Sequence, residues 1–167
     1  MRNRSLLMTA LAAAGLALAA TSASATAISQ TMTITATIQN SCLLYLNNVD
    51  FGTLDGLITT VGSTPININV TCNSGTTYSL APDNGMNFGV NAGYPTDRAM
   101  SDGAGHTIPY ELWTDMGQTT SWDGTNPLTG TGNGNVQMIQ PAIRLPAIGG
   151  VPAGVYDDTL TVTNTYN

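Results

Sequence analysis

The residues whose types could do chemistry are few, and most of them fall in one stretch of the chain. Glu111 and Asp115 flank Trp113, and Trp122-Asp123 follows soon after. Paired carboxylates beside aromatic rings are typical of glycoside hydrolases and of sugar-binding surfaces. In the alternative interpretation the acids lie in turns, and Glu111 and Trp113 share the solvent-facing side of a strand. We favour the second interpretation and predict that the chain is not an enzyme, with sugar contact by the two tryptophans kept as an alternative.

The other candidate groups do not assemble into a catalytic or metal-binding motif. His106 is the only histidine, and no Gly-x-Ser-x-Gly motif supplies a nucleophile for it. Asp157 and Asp158 are neighbours, so on a strand they point to opposite sides. The Asp-x-Asp-x-Asp-Gly pattern of a calcium loop is missing. The sequence therefore predicts no cofactor and no metal.

Residues 1–25 are typical of a secretory signal peptide. Arg2 and Arg4 give it a positive start, residues 6–20 are apolar, and Ala23-Ser24-Ala25 has the small-x-small form of a cleavage site. A membrane anchor is the alternative, but the apolar run is short and rich in alanine for a spanning helix. We expect an exported protein.

The mature chain is strongly acidic. Removing the leader leaves Arg98 and Arg144 against ten acidic residues, and the chain contains no lysine. Such a charge balance repels nucleic acid and anionic membrane surfaces. Nucleic acid is therefore excluded as a predicted partner.

The two cysteines predict a single structural disulfide. Cys42 and Cys72 are the only cysteines, and paired cysteines in an exported chain are normally bonded. Each lies on the apolar face of an alternating stretch, so both sulfurs are expected to point inward. Such a bond would close a loop of about thirty residues and stabilise the fold by roughly 3–4 kcal/mol.

Strand signals recur through the mature chain, whereas helix signals are nearly absent after residue 25. Short stretches alternate apolar and polar residues, as half-buried strands do. They cover residues 49–54, 65–72, 76–81, 107–115, 136–145 and 155–167. About seven such strands, separated by Gly/Pro/Asn turns, predict an all-β antiparallel sandwich of immunoglobulin-like type.

The first stretch of the mature chain is too long for its own domain. Between Thr26 and Cys42 one face carries Ile28, Met32, Ile34, Ala36 and Ile38, while the other face is mostly threonine. Its seventeen residues would span roughly 56 Å at about 3.3 Å each, whereas a domain of this size is only about 35–40 Å across. Either this strand bends and breaks, or part of it lies outside its own domain.

Several sequence pieces, taken in order, carry a family resemblance. They are Asn40-Ser41-Cys42, Val49-Asp50-Phe51-Gly52, residues 68–72, Arg98-Ala99-Met100, residues 110–115, the Gly/Thr-rich turn at 129–135 and the closing stretch 151–166. In this order they resemble the spore coat protein U domain family, which includes major subunits of archaic (Csu-type) chaperone–usher pili. The resemblance covers essentially all of the mature chain.

The resemblance implies a sandwich that lacks its last strand. In such pilins a periplasmic chaperone fills the open groove first, and the N-terminal extension of the next subunit then replaces it. A sandwich that ends at Tyr166 agrees with this, because an unpaired strand edge invites pairing with another chain. We expect residues 26–33 to be the donor-strand extension and residues 34–167 to be the pilin domain, with its first strand starting near Ile34. The expected site residues are Ile28, Gln30 and Met32 in the donor strand, and Leu160, Val162 and Tyr166 at the acceptor edge that the chaperone also contacts.

The predicted function is that of a structural subunit of a surface pilus, or fimbria. It would be exported through the periplasm to the cell surface, polymerise head to tail by donor-strand exchange, and serve adhesion and biofilm formation. The predicted partners are other copies of itself or related pilins, a periplasmic chaperone and an outer-membrane usher. A secreted spore- or cell-coat protein and a small carbohydrate-binding module are the alternatives.

Overall fold

The described part of the chain is built from β-strands. A computed structural model describes residues 24–57, 62–89, 97–146 and 148–167, so residues 1–23 of the predicted signal peptide lie outside it. The strands are β1 (Cys42–Leu46), β2 (Ser63–Pro65), β3 (Ile68–Cys72), β4 (Thr77–Pro82), β5 (Arg98–Ser101), β6 (Thr107–Trp113), β7 (Leu128–Thr131), β8 (Val136–Ile139), β9 (Ala142–Arg144) and β10 (Val162–Tyr166). The predicted all-β class is confirmed. Within the described ranges, no helix is long and apolar enough to cross a membrane.

One long two-stranded ribbon runs through all three antiparallel sheets. The sheets have the strand orders β1-β3-β8, β10-β4-β7 and β2-β9-β6-β5. Each sheet contains one part of the ribbon, in which residues 63–80 pair with residues 128–144. The register is unbroken from Ser63 opposite Arg144 to Thr71 opposite Val136. The ribbon is divided into short strands, β2, β3 and β4 on one side and β7, β8 and β9 on the other, which is why the described residues form ten strands where the sequence predicted about seven.

A bulge bends this ribbon between β3 and β4. Thr77 is six positions after Thr71, whereas its partner Thr131 is only five positions before Val136, the partner of Thr71. One strand of the pair therefore has an extra residue, and such a residue bends an antiparallel pair. Gly132 is needed at the bend, because a Cβ there would lie 2.6 Å from the Cβ and 2.7 Å from the carbonyl oxygen of Cys72. Its N–H donates to the carbonyl oxygen of Thr76 at 2.8 Å.

The disulfide joins β1 to β3 beside this bend. Cys42 and Cys72 lie directly opposite each other in the register and are bonded, with their Cα atoms 4.1 Å apart, so the predicted pairing is confirmed. Because β3 is the strand with which β1 pairs, the bond ties an edge strand to the interior of the domain.

Strand β6 is buried on both faces. It lies between β5 and β9 in its sheet, and its residues from Ile108 to Leu112 are all buried. Tyr110 and Leu112 belong to the hydrophobic core. Glu111, which the sequence placed toward solvent, is only 4% exposed, because the neighbouring segments of the chain cover both sides of this strand.

The N-terminal segment contributes no strand. The chain divides into compact units at Thr37–Ile38, and residues 24–40 are exposed and outside any strand. The exposed fractions are 85% for Ile28, 81% for Met32 and 84% for Ile34. Strand β1 begins at Cys42 rather than near Ile34, and its register with β3 starts at the same residue, since Cys42 lies opposite Cys72, the last residue of β3.

Candidate strand-binding groove

An apolar groove opens beside the last strand. Its volume is about 490 Å³, against about 30 Å³ for one liquid water. It is lined by the end of β1 with residues 47–49 and Phe51, by residues 156–160 with Val162, and by core side chains that include Tyr110, Leu112 and Ile143. A cleft of this size has room for several large side chains.

Residues 156–161 lead from one sheet to another along this groove. Asp157 pairs with Ser101 at the edge of β5, with N–H···O distances of 2.9 and 3.1 Å. Regular pairing with β4 begins only beyond Leu160, where the carbonyl oxygen of Thr161 accepts from the N–H of Asp83 at 2.8 Å. The predicted strand over 155–167 is therefore confined to Val162–Tyr166, because the chain must first cross between sheets.

The carboxylate of Asp158 fixes this crossing segment. It accepts from the Tyr110 hydroxyl at 2.6 Å, from the N–H of Met86 at 2.9 Å and from the side-chain amide of Asn87 at 3.2 Å. Burial, followed by the hydrogen bond to Asp158, raises the pKa of Tyr110 above its ordinary value, so its hydroxyl stays a donor. One wall of the groove is thus held by hydrogen bonds to β6 and to the loop after β4.

The outer edge of β10 lacks a partner strand among the described residues. Thr161 and Asn167 bond to the β4 side, the latter through its N–H to Thr77 at 3.1 Å. Because backbone groups alternate along a strand, Val162, Asn164 and Tyr166 direct their N–H and C=O groups toward the free edge. Their side chains share the inward face, on which Val162 and Asn164 are half-buried while Tyr166, at the end of the strand, is exposed.

Asn164 places a polar group on that inward face. Its Oδ1 atom is buried and has no hydrogen-bond partner in the described part of the chain. A buried amide oxygen normally accepts a hydrogen bond, and leaving it without one costs about 1–3 kcal/mol. The inward face of β10 is therefore apolar at Val162, polar at Asn164 and aromatic at Tyr166.

Strand β1 presents a similar edge. Ser41 accepts from the N–H of Asn73 at 3.1 Å, and Asn47 donates to the carbonyl oxygen of Asn67 at 3.4 Å. By the same alternation Leu44 and Leu46 direct their backbone groups away from β3. The side chain of Leu46 lines the groove.

The structure brings two of the three predicted acceptor residues to the groove. Leu160 and Val162 line it, whereas Tyr166 lies at the end of β10 opposite Tyr78 and is 42% exposed. The predicted donor residues are exposed in the N-terminal segment. Their roles as donor and acceptor stay predictions.

Sequence reasoning missed the other wall of the groove. Leu46, Val49 and Phe51 line it, yet the alternation over 49–54 predicted a strand there and no strand forms. The apolar residues of that pattern predict that their side chains are buried. Alternation alone does not predict that they face an open groove.

The residues considered for sugar chemistry belong to the framework of the domain. Trp122 is 1% exposed and donates its Nε1–H to the carbonyl oxygen of Leu80 at 3.0 Å. Glu111 accepts from the Nε1–H of Trp113 at 3.2 Å and lies 3.6 Å from the guanidinium of Arg144. These contacts hold both groups inside the fold.

The remaining titratable cluster is exposed and local. The Nδ1 atom of His106 lies 2.6 Å from a carboxylate oxygen of Asp102, and hydrogen bonding to His106 lowers the pKa of that carboxyl. Among the described residues, no group of three or more His, Cys, Asp or Glu side chains is placed to hold a metal ion.

A sandwich of short antiparallel strands with an open, apolar edge groove is the class of fold that these features define. The family model of the Spore Coat Protein U domain matches residues 28–163, and the chain belongs to this family. No curated protein sequence matches it.

Solved structures show the same fold at low sequence identity. One is the crystal structure of the CsuC–CsuE chaperone–tip adhesion subunit pre-assembly complex from archaic chaperone–usher Csu pili of Acinetobacter baumannii, with a TM-score of 0.57 and 19% identity. The match covers 77% of this chain and 40% of that one. Another is the P pilus rod subunit PapA, with a TM-score of 0.51 and 14% identity over 72% of this chain and 92% of that one. The immunoglobulin-like sandwich predicted from the sequence is thereby confirmed.

Proposed function

We propose that the chain is a structural subunit of a surface pilus that polymerises by donor-strand exchange. The observation that carries the proposal is that two complementary features occur in the same chain. One is the groove beside the unpaired edge of β10, and the other is an exposed segment with large apolar side chains at alternate positions. The segment can supply the strand and the apolar side chains that the edge and the groove lack. The binding of an extended segment along a sheet edge is β-strand addition.

We place the end of the proposed donor segment later than Thr33, where the sequence analysis expected it. Residues 24–37 lie outside the compact unit that starts at Ile38, so the proposed donor segment runs from about Thr26 to Thr37 rather than ending at Thr33. One copy offers its segment to the groove of the next copy. Because donor and groove are different surfaces, the contact does not close on itself and gives an open fibre.

The proposed partners follow from the same surfaces. Before assembly an apolar groove and an unpaired edge would promote aggregation, so a periplasmic chaperone covers them and an outer-membrane usher exchanges the chaperone for the next subunit. The solved neighbours support this, since one is a chaperone–subunit complex and the other a pilus rod subunit. The protein is exported to the cell surface, where the fibre serves adhesion and biofilm formation.

A structural role is favoured over catalysis or sugar binding. The Glu111 carboxylate is engaged with Arg144 and Trp113, and Trp122 is in the core. The name of the family keeps a coat layer as the second candidate. Electron microscopy of the assembled protein separates the two, because donor-strand exchange gives thin unbranched fibres and a coat gives a continuous sheet.

Deletion of residues 27–33 tests the proposal. The shortened protein should be exported, form its disulfide and accumulate without polymer. A matched control replaces Thr31, Thr33 and Thr35 by serine, which leaves the apolar face unchanged and should leave fibre yield unchanged. Fibres at normal yield from the deletion variant would show that this segment is not the donor.

A further inference from the structure

The apolar faces of the extension and of β10 are each interrupted by polar groups. The extension carries Ile28, Gln30, Met32, Ile34 and Ala36 at alternate positions. The same face of the C-terminal segment carries, in reverse order, the exposed Tyr166 and then the half-buried Asn164, Val162, Leu160 and Asp158. In each list the second residue has a side-chain amide, Gln30 in the extension and Asn164 in the C-terminal segment.

We propose that a pair of side-chain amides, Gln30 of one copy and Asn164 of the next, sets the register of an antiparallel donor strand. This rests on the proposed function. Aligned on that pair, Ile28 lies opposite Tyr166, and Met32 lies opposite Val162. Ile34 then faces Leu160, and the small Ala36 faces Asp158, whose carboxylate is already engaged by Tyr110.

The backbone of β10 fits this arrangement. Val162, Asn164 and Tyr166 direct their free N–H and C=O groups to the outer edge, as their neighbours bond to β4. A donor residue opposite each of them therefore exchanges both backbone hydrogen bonds with it, and its side chain enters the same inward face. Gln30 is then beside the buried Oδ1 of Asn164, which has no partner in the described part of its own chain, and can donate to it.

Displacing the strand by two residues in either direction destroys the match. One displacement puts Ile28 opposite Asn164 and Gln30 opposite Val162. The other puts Met32 opposite Asn164. Each leaves an amide buried against an apolar side chain, and a buried amide without a partner is disfavoured.

The parallel orientation matches fewer side chains. With Gln30 kept opposite Asn164, Ile28 would face Val162 and Met32 would face Tyr166. Ile34 would then lie beyond Tyr166, where β10 ends. The antiparallel orientation therefore uses the apolar residues of the extension more fully.

Threonines on the outward faces of both strands provide the test. In the proposed register Thr31 of one copy lies opposite Thr163 of the next, as a pair without mutual backbone bonds whose Cα atoms are about 4.5 Å apart. That distance permits a disulfide, whereas residues displaced by two lie about 7–8 Å apart and do not permit one without backbone movement. The two natural cysteines are bonded to each other, so introduced cysteines are the reactive thiols.

Full-length chains carrying Thr31→Cys with Thr163→Cys should form fibres that mild oxidation converts into a covalent ladder. The matched control, Thr33→Cys with Thr163→Cys, should give no ladder. A ladder from the control alone overturns the register and leaves donor-strand exchange standing. The absence of a ladder from every such pair, together with fibres from the 27–33 deletion variant, overturns the proposed function itself.

Gln30→Leu tests whether the amide pair sets the register. The substitution removes the polar mismatch that opposes a displaced strand, so the control pair should now yield a ladder beside that of the Thr31/Thr163 pair. If the control pair still gives none, the register is set elsewhere and the role assigned to Gln30 is wrong. Urea resistance of the fibres, measured in parallel, separates this effect from a general loss of stability.

Discussion

A chain that carries its own donor strand after Asn167 should be stable and monomeric. The proposed antiparallel orientation brings the start of the donor, near Ile28, beside the end of β10. Residues 27–37 can then be moved from before Ile38 to the C-terminus and joined to Asn167 by two added residues. Asn167, the added residues and Ala27 then form a four-residue hairpin loop between Tyr166 and Ile28, the last hydrogen-bonded pair of the proposed register. A parallel donor would need a crossover of a dozen or more residues, so this short connection works for one orientation only.

The magnitude follows from single side chains of the transferred strand. Ile34 is 84% exposed in the extension and faces Leu160 once the strand is inserted. Replacing a buried isoleucine by alanine costs about 2–5 kcal/mol, so Ile34→Ala in the rearranged chain should lower its unfolding free energy by roughly that amount. Thr35→Ala, on the outward face, should change it by about 0.5 kcal/mol or less.

Urea unfolding of the purified variants measures these differences, and size-exclusion chromatography measures their association. The rearranged chain should elute as a monomer and unfold at a higher urea concentration than a chain that simply lacks residues 26–37, because its groove is filled. Equal effects of Ile34→Ala and Thr35→Ala would refute the inward placement of Ile34. No gain over the chain without the segment would refute the antiparallel connection.

Three further predictions concern the framework of the groove, each measured by urea unfolding. Replacing both Cys42 and Cys72 by serine opens a loop with a sequence separation of 30 and should lower the unfolding free energy by about 3–4 kcal/mol. Gly132→Ala forces a Cβ against the backbone of the ribbon bend and should cost about 1–3 kcal/mol, whereas Gly124→Ala, with nothing within 4 Å, should be near neutral. Burial raises the pKa of Tyr110 in the folded state, so the unfolded chain releases this proton at lower pH than the folded chain. The stabilisation that protonated Tyr110 gives the folded state is therefore complete below pH 10 and is lost as the pH rises above 10. Tyr110→Phe should make the unfolding free energy fall less steeply in that range.

Local alternation predicted the strands whose two faces meet different environments. The clearest case is β3, where Ile68, Val70 and Cys72 are buried while the residues between them are half-buried. The disulfide could also be predicted, since export and two inward-facing cysteines left one pairing. The pattern of β3 can be seen in neighbouring residues of the sequence, and each cysteine has only the other to bond with.

Strands whose environment is set by distant parts of the chain could not be predicted in the same way. The chain covers both faces of β6, so Glu111 is buried despite its polar type. Strand β7 looked like a flexible turn because of Gly130, yet a Cβ at Gly130 would collide with the ring of Tyr78. The glycine is there to let an aromatic ring pack on the backbone, which composition alone does not distinguish from a turn.

The extension shows the limit of periodicity most directly. Its alternation from Thr26 onward predicts one apolar and one polar face, but a period of two says nothing about which chain supplies the partner. In this chain residues 24–40 are exposed and form no strand, and the first strand begins at Cys42. A clean strand pattern that stays exposed next to a domain with an unpaired edge is therefore informative in itself. Under the function proposed above this segment pairs with the free edge of another copy, and the position of Gln30 sets the proposed register.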